Sequence, residues 1–322
     1  MENRSRQLKF FRMLVFASLL LTLAVVVLSA YIRLDGIGLG CGDWPRCFGQ
    51  IPMTSDAGTL PTTLAGVMHR ITASLLGLLV MTITVLAIRH RGRTGTGLTV
   101  PLLAFALIVF LSVLGFNTPA WQIPAVTLGN LVGGTTLLSL LWWMGQRSLA
   151  SETVAENTGS KFRPWVLAGI GIVMLQIALG AWASANFAGP ACPALPACAQ
   201  NWASLSQLFQ GFDLSRQLAM DNQGKIIVDN TQATLHMVHR IGALLTLLYI
   251  GGLAALAVRR HEHLRSACSA ILFLLLVQAG LGVIAILTEL PLMIVTAHNV
   301  VAAVLLLAVI NLLHRLTPKR VR

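Results

Sequence analysis

The chain has 322 residues, of which 56% are hydrophobic and 11% charged, and its formal net charge is +12. A soluble protein carries roughly a quarter charged residues, so a soluble fold is excluded. The positive charge does not point to nucleic acid either, because the basic residues gather at helix ends and in alternate loops, as membrane orientation requires.

Apolar runs of about 20 residues, enough to cross a bilayer as a helix, recur along the whole chain. No series of short alternating strands interrupts them. The spanning elements are then helices, which satisfy their own backbone groups. Eight are predicted, at roughly 13–32, 63–88, 98–116, 122–144, 165–186, 234–258, 267–288 and 291–313. The first follows a basic N-terminus (Arg4, Arg6, Lys9, Arg12) but has no clear small-residue cleavage site beyond Ser29-Ala30, so it reads as a retained helix. Arg89, His90, Arg91 and Arg93 follow the second span, and Arg147, Lys161 and Arg163 flank the fourth loop. Arg259, Arg260 and Arg265 mark the sixth loop, and Arg315, Lys319, Arg320 and Arg322 the tail. Such loops belong on the cytoplasmic side, which puts both termini inside. The loops left outside are 33–62, 117–121, 187–233 and 289–290, long and short in turn. The polar stretch around Ser151-Glu152-Thr153 reads as a linker, dividing the chain into 1–147, 148–164 and 165–322.

The two parts repeat each other. Leu28-Ser29-Ala30-Tyr31 matches Leu179-Gly180-Ala181-Trp182, and Cys41 and Cys47 match Cys192 and Cys198. His69-Arg70-Ile71 matches His239-Arg240-Ile241, and Val126-Thr127-Leu128-Gly129-Asn130 matches Val295-Thr296-Ala297-His298-Asn299. The order is kept, which makes chance a poor explanation. The expected fold is all-α: eight transmembrane helices in two pseudo-symmetric four-helix bundles. The copies differ in their polar groups. Gly129 stands where the second half has His298, Gly66 where it has His236, and Leu111 where it has Gln278.

An ionisable residue inside hydrocarbon is read as functional by default. Two imidazoles on facing helices are a common way to grip a haem iron from both sides, which gives His239 and His298 their first reading. The other is a pair hydrogen-bonded for packing. Gly242 and Ala243 follow His239, and Ala302 and Ala303 lie beyond His298, leaving room for a flat macrocycle. His69 is either the single ligand of an open-faced iron site or a packed remnant. Arg70 and Arg240 pair a haem propionate or snorkel to headgroups, and Arg33 with Asp35 is a similar candidate. The cysteine pairs Cys41/Cys47 and Cys192/Cys198 fall in outer loops, where they form structural disulfides or redox-labile ones that govern access. His236 is a partner behind His239 or a proton relay. Gln176 and Gln278 bond neighbouring helices or a ligand.

Tyr31-Ile32-Arg33-Leu34, Gly38-Leu39-Gly40-Cys41-Gly42-Asp43-Trp44-Pro45-Arg46-Cys47, the two His-Arg helices, Leu179-Gly180-Ala181-Trp182, Gln278-Ala279-Gly280-Leu281-Gly282 and the His298 helix together resemble the haem A synthase family over nearly the whole chain. The resemblance implies a multi-pass enzyme of a bacterial-type inner membrane. It would oxidise the C8 methyl of haem O to a formyl group, giving haem A for terminal oxidase assembly. It implies a haem b between His239 and His298, and haem O as substrate in the first half. Haem O synthase, a membrane electron acceptor and the oxidase assembly are the implied partners, and the oligomeric state stays open. The family has two histidines and a glutamate in the first half. Here only His69 carries over, with Gly66 at the glutamate and Gly129 at the second ligand. The alternative is a non-catalytic haem-binding assembly or electron-transfer protein.

Overall fold

The computed structural model describes residues 2–36, 64–90, 97–116, 123–149, 161–198, 202–219, 221–222 and 226–317. Among them the chain is helical, with no β-strand. The helices are α1 (Glu2–Gly36), α2 (Leu64–Arg89), α3 (Thr99–Phe116), α4 (Pro124–Leu149), α5 (Arg163–Ala185), α6 (Leu205–Gly211), α7 (Asn230–Arg260), α8 (Arg265–Leu287) and α9 (Leu292–Arg315), with a short 3-10 turn at Glu262–Leu264. Every predicted span falls on one of these helices. Seven are long and apolar enough to cross a membrane, and α3 is a shorter apolar helix. The 18 residues of α3 rise about 27 Å, slightly under the roughly 30 Å of a hydrocarbon core.

Several hydroxyl groups inside the spans have their donors met within their own helix. Thr84, Thr135 and Thr246 each donate to the carbonyl four residues earlier, at 2.8 Å. Such back-bonding lets a polar side chain sit in an apolar helix.

Two cores form. One draws Phe11, Leu14 and Val15 of α1, Leu76, Val80 and Ile83 of α2, Ile108 of α3 and Leu141 and Met144 of α4 together. The other gathers Val166 and Val173 of α5, Ile250 and Ala254 of α7, Cys268 and Ile271 of α8 and Leu306 and Val309 of α9. Large side chains such as Leu245, Leu248, Phe273 and Leu276 point away from both cores and are exposed. In water such a surface would associate, whereas lipid tails are as apolar as leucine and solvate it.

The cores are joined through α1, α4, α5 and α9, which contact one another. At one end Gln146 of α4 donates to Asn311 of α9 at 3.2 Å. At the other, Arg33 of α1 donates to the Ser184 hydroxyl of α5. Beside that contact Leu34 packs with Phe187, Leu218 and Ile226.

The segment between α5 and α7, expected as a long outer loop, is instead a folded cap. Trp182 Nε1 donates to the Gly211 carbonyl at 2.7 Å, and the Thr234 hydroxyl donates to that of Trp202 at 2.7 Å. Helix α6, missed in the sequence, is seven residues long. That is too short for a periodic signal to stand out. Asp229 starts α7 with a capping box: it accepts from the Thr231 and Gln232 amides, and Gln232 Oε1 accepts from the Asp229 amide. Cys41, Cys47 and linker residues 150–160 lie outside the described residues.

Candidate functional site

The cap buries the first turns of α7, from Thr231 to Met237. Beyond it the buried face narrows to a stripe of Thr246, Ile250, Ala254 and Ala257. His239 heads that stripe at helical spacing. His298 heads a similar stripe on α9, continued by Leu305, Val309 and Leu312. The two imidazoles come from different helices, each at the head of its own helix's buried stripe.

Each histidine is backed by a glutamine from the neighbouring helix. Gln176 of α5 stands 3.0 Å from His239 Nδ1 and donates to the His239 carbonyl at 3.0 Å. Gln278 of α8 stands 3.1 Å from His298 Nε2. Each ring also lies on a glycine one turn after that glutamine. A Cβ on Gly180 would fall 2.8 Å from His239 Cε1, and one on Gly282 would fall 3.2 Å from His298 Cε1. On each ring, then, one nitrogen faces a glutamine and the other does not. At His298 the second nitrogen, Nδ1, is buried without a hydrogen-bond partner.

Two imidazoles are too few for a tetrahedral metal site. Among the described residues no group of three or more His, Cys, Asp or Glu side chains converges. The pair does suit an iron whose remaining positions are filled by a macrocycle, with the nitrogen turned away from the glutamine on each ring to meet it. Two half-buried imidazoles of this kind fit haem.

Other predicted site residues are placed differently. Arg240, read as a propionate or headgroup partner, turns to the outer cap. It donates to the carbonyls of Cys192 at 2.6 Å, Ala194 at 2.7 Å and Pro196 at 3.3 Å. Cys192 and Cys198 are joined as a disulfide, so the arginine beside His239 holds that cross-linked loop. His236 is buried, with Nδ1 2.9 Å from the Ala188 carbonyl. It too fastens the cap. Gly242, expected to make room for a macrocycle, makes room for Gln176: a Cβ there would collide with Gln176 Oε1.

In the first half His69 heads the buried stripe of Thr72, Leu76, Val80, Ile83 and Ala87 on α2. Arg70 beside it is exposed. Around the repeat position of His298, Gly129, the first half is apolar. A Cβ on Gly129 would fall 2.9 Å from Leu114 Cδ2, and one on Gly133 would fall 2.6 Å from Leu111 Cδ2. Leucines of α3 fill what the glycines of α4 leave open. Arg33, between the halves, keeps Nε and Nη2 buried and without partners.

The glycine under each ring was missed from the sequence. Its signal was present as Gln-x-x-Leu-Gly, at Gln176–Gly180 and again at Gln278–Gly282.

A family model described as cytochrome oxidase assembly protein matches residues 12–310. The chain is 31% identical over 311 residues to a protein named heme A synthase from Shewanella oneidensis, covering 92% of this chain and 93% of that one. It is 24% identical over 305 residues to a heme A synthase from Geobacillus kaustophilus, covering 91% and 86%. A heme A synthase from Bacillus cereus is 26% identical over 222 residues, covering 66% and 69%.

Proposed function

Because this chain belongs to the cytochrome oxidase assembly protein family, whose similar members include heme A synthases, we propose that it makes haem A for terminal oxidases. The reaction is oxidation of the C8 methyl of haem O to a formyl group. Methyl to formyl takes up one water and releases four electrons and four protons, so a redox partner is required. The observation that carries the reading is the matched setting of His239 and His298, each with one nitrogen facing a glutamine and, at His298, the other buried without a partner.

On this reading eight helices form two pseudo-symmetric bundles, 1–147 and 165–322, joined by linker 148–164. Both termini face the cytoplasm of an inner membrane. His239 and His298 hold a haem b, which when bound supplies electron transfer toward a membrane acceptor. His69 orients the substrate haem O in the first bundle. Gly66 and Gly129 supply neither the glutamate nor the second ligand, so positioning there falls to His69 and to the apolar walls around it. Arg70, exposed beside His69, and Arg33 are the cations available to propionates. A Cys41–Cys47 disulfide would mirror Cys192–Cys198. Haem O synthase is the donor of the substrate, and the oxidase assembly takes the product.

Co-expression with a haem O source, followed by pigment extraction, tests the activity. Haem A in the extract supports the enzyme, and haem b alone favours the second reading, a haem-binding assembly or electron-transfer protein. That second reading draws on Leu114 and Leu111 filling the space where the first half lacks a ligand. His298→Ala is expected to abolish the low-spin spectrum, and an unchanged spectrum overturns the ligand assignment. His69→Ala is expected to stop haem A formation while that spectrum persists.

A further inference from the structure

We infer that Gln176 and Gln278 are positioning residues that set the electronic character of the two histidine ligands, each acting with the glycine one turn behind it. The inference rests on the bis-histidine haem reading and goes beyond it, to residues that touch the ligands and not the haem.

The construction occurs twice, on unrelated helix pairs. Gln176 and Gly180 of α5 serve His239 of α7, and Gln278 and Gly282 of α8 serve His298 of α9. The spacing of four puts glutamine and glycine on one helix face, one turn apart. The glutamine reaches a ring nitrogen, while the glycine lets the flat ring lie against the backbone. Gly242 completes the first set by leaving room for the Gln176 amide.

The chemistry follows from the tautomer. A neutral imidazole that gives one nitrogen to iron carries its proton on the other. That N–H is a donor in a low-dielectric site and needs an acceptor. Both glutamines have a buried amide oxygen with no hydrogen-bond partner, Gln176 Oε1 and Gln278 Oε1. A half-turn of each amide exchanges nitrogen for oxygen and offers that acceptor. At Gln176 the half-turn gives up the bond to the His239 carbonyl, 3.0 Å from Gln176 Nε2, and the amide must also swing off that oxygen, since two acceptors repel. The ring N–H then gains a fixed partner, which holds ring and tautomer together. Donation to an acceptor makes an imidazole a stronger electron donor to iron and favours the oxidised metal.

The first half lacks the device. By the internal repeat, Val25 stands at the position of Gln176 and Leu111 at that of Gln278. The glutamines thus separate a haem that is kept from one that is exchanged.

The test uses the full-length protein purified with its haem. Gln176→Leu and Gln278→Leu remove the acceptor, and Gln278→Glu strengthens it. The readouts are midpoint potential, EPR g-values of the low-spin haem, and haem affinity by titration, with helical content by circular dichroism as the check on folding. The leucine variants are expected to show a raised potential, shifted g-values and haem affinity weakened by roughly 10- to 100-fold. Gln278→Glu is expected to keep haem and lower the potential. Variants with wild-type potential, g-values and affinity overturn the inference. Should a leucine variant fail to fold, Gln278→Glu decides: a lowered potential supports the inference, and an unchanged one overturns it. A colourless wild type overturns the haem reading itself, an outcome distinct from both.

Discussion

At the scale of single residues, the contrast among glycines separates packing space from site geometry. Gly180→Ala puts a methyl 2.8 Å from the His239 ring and must displace it. We expect haem content to fall by about tenfold, read from the low-spin absorbance, as for other residues that orient a metal ligand. Gly280 is the control, since a Cβ there meets nothing within 4 Å. Gly280→Ala should leave the spectrum intact and raise stability by about 0.5–1 kcal/mol, the helix-interior gain of alanine over glycine. In the first half, Gly129→His alone would overpack against Leu114, 2.9 Å from the new Cβ, at a cost of about 1–3 kcal/mol. Paired with Leu114→Ala it is expected to add a second low-spin haem signal. The histidines were legible in the sequence because an imidazole in an apolar run stands out. The glycines beneath them were not, because glycine is common in membrane helices and its partner lies on another helix.

At the scale of elements, the start of α7 and the cap above it act as one unit. Asp229→Ala removes an N-cap that accepts from Thr231 and Gln232. It should cost about 1 kcal/mol, read as a lower thermal midpoint in detergent. The ion pair of Asp229 with Arg216, 3.6 Å apart, adds little because Asp229 is exposed. Arg240→Gln removes three charge-assisted bonds to the carbonyls of the disulfide loop. We expect Cys192–Cys198 to become several-fold faster to reduce, measured by thiol labelling under a mild reductant, with the haem spectrum retained. Here the sequence revealed only part of the arginine's surroundings. A His-Arg pair in an apolar run suggests a ligand beside an anion partner, and nothing local reveals that a loop more than forty residues earlier returns to meet the arginine. The spans were legible because length and apolarity alone determine them. The cap was not, because tertiary contacts hold it in place.

At the scale of the whole molecule, two cores meet along α1, α4, α5 and α9. Arg33 stands at that junction with two buried donors unmet. Replacing an uncompensated buried charge with an apolar side chain of similar length is neutral or stabilising. Arg33→Met is therefore expected to leave the thermal midpoint unchanged or higher. On the reading that pairs Arg33 with a propionate, haem A yield falls in the same variant. A lower midpoint would show that the bond to Ser184 matters more to folding than to substrate. The repeat was legible because its landmarks keep their order. The difference between the halves was visible as Gly129 and Gly66, but not that leucines of α3 fill the space beside Gly129 and Gly133. That filled space bears on time as well as on affinity. On the proposed function product must leave this protein, and residence lengthens tenfold for every 1.4 kcal/mol or so of added grip. On that reading a compartment with one axial bond and greasy walls would turn over, whereas one clasped from two sides would become a permanent fixture.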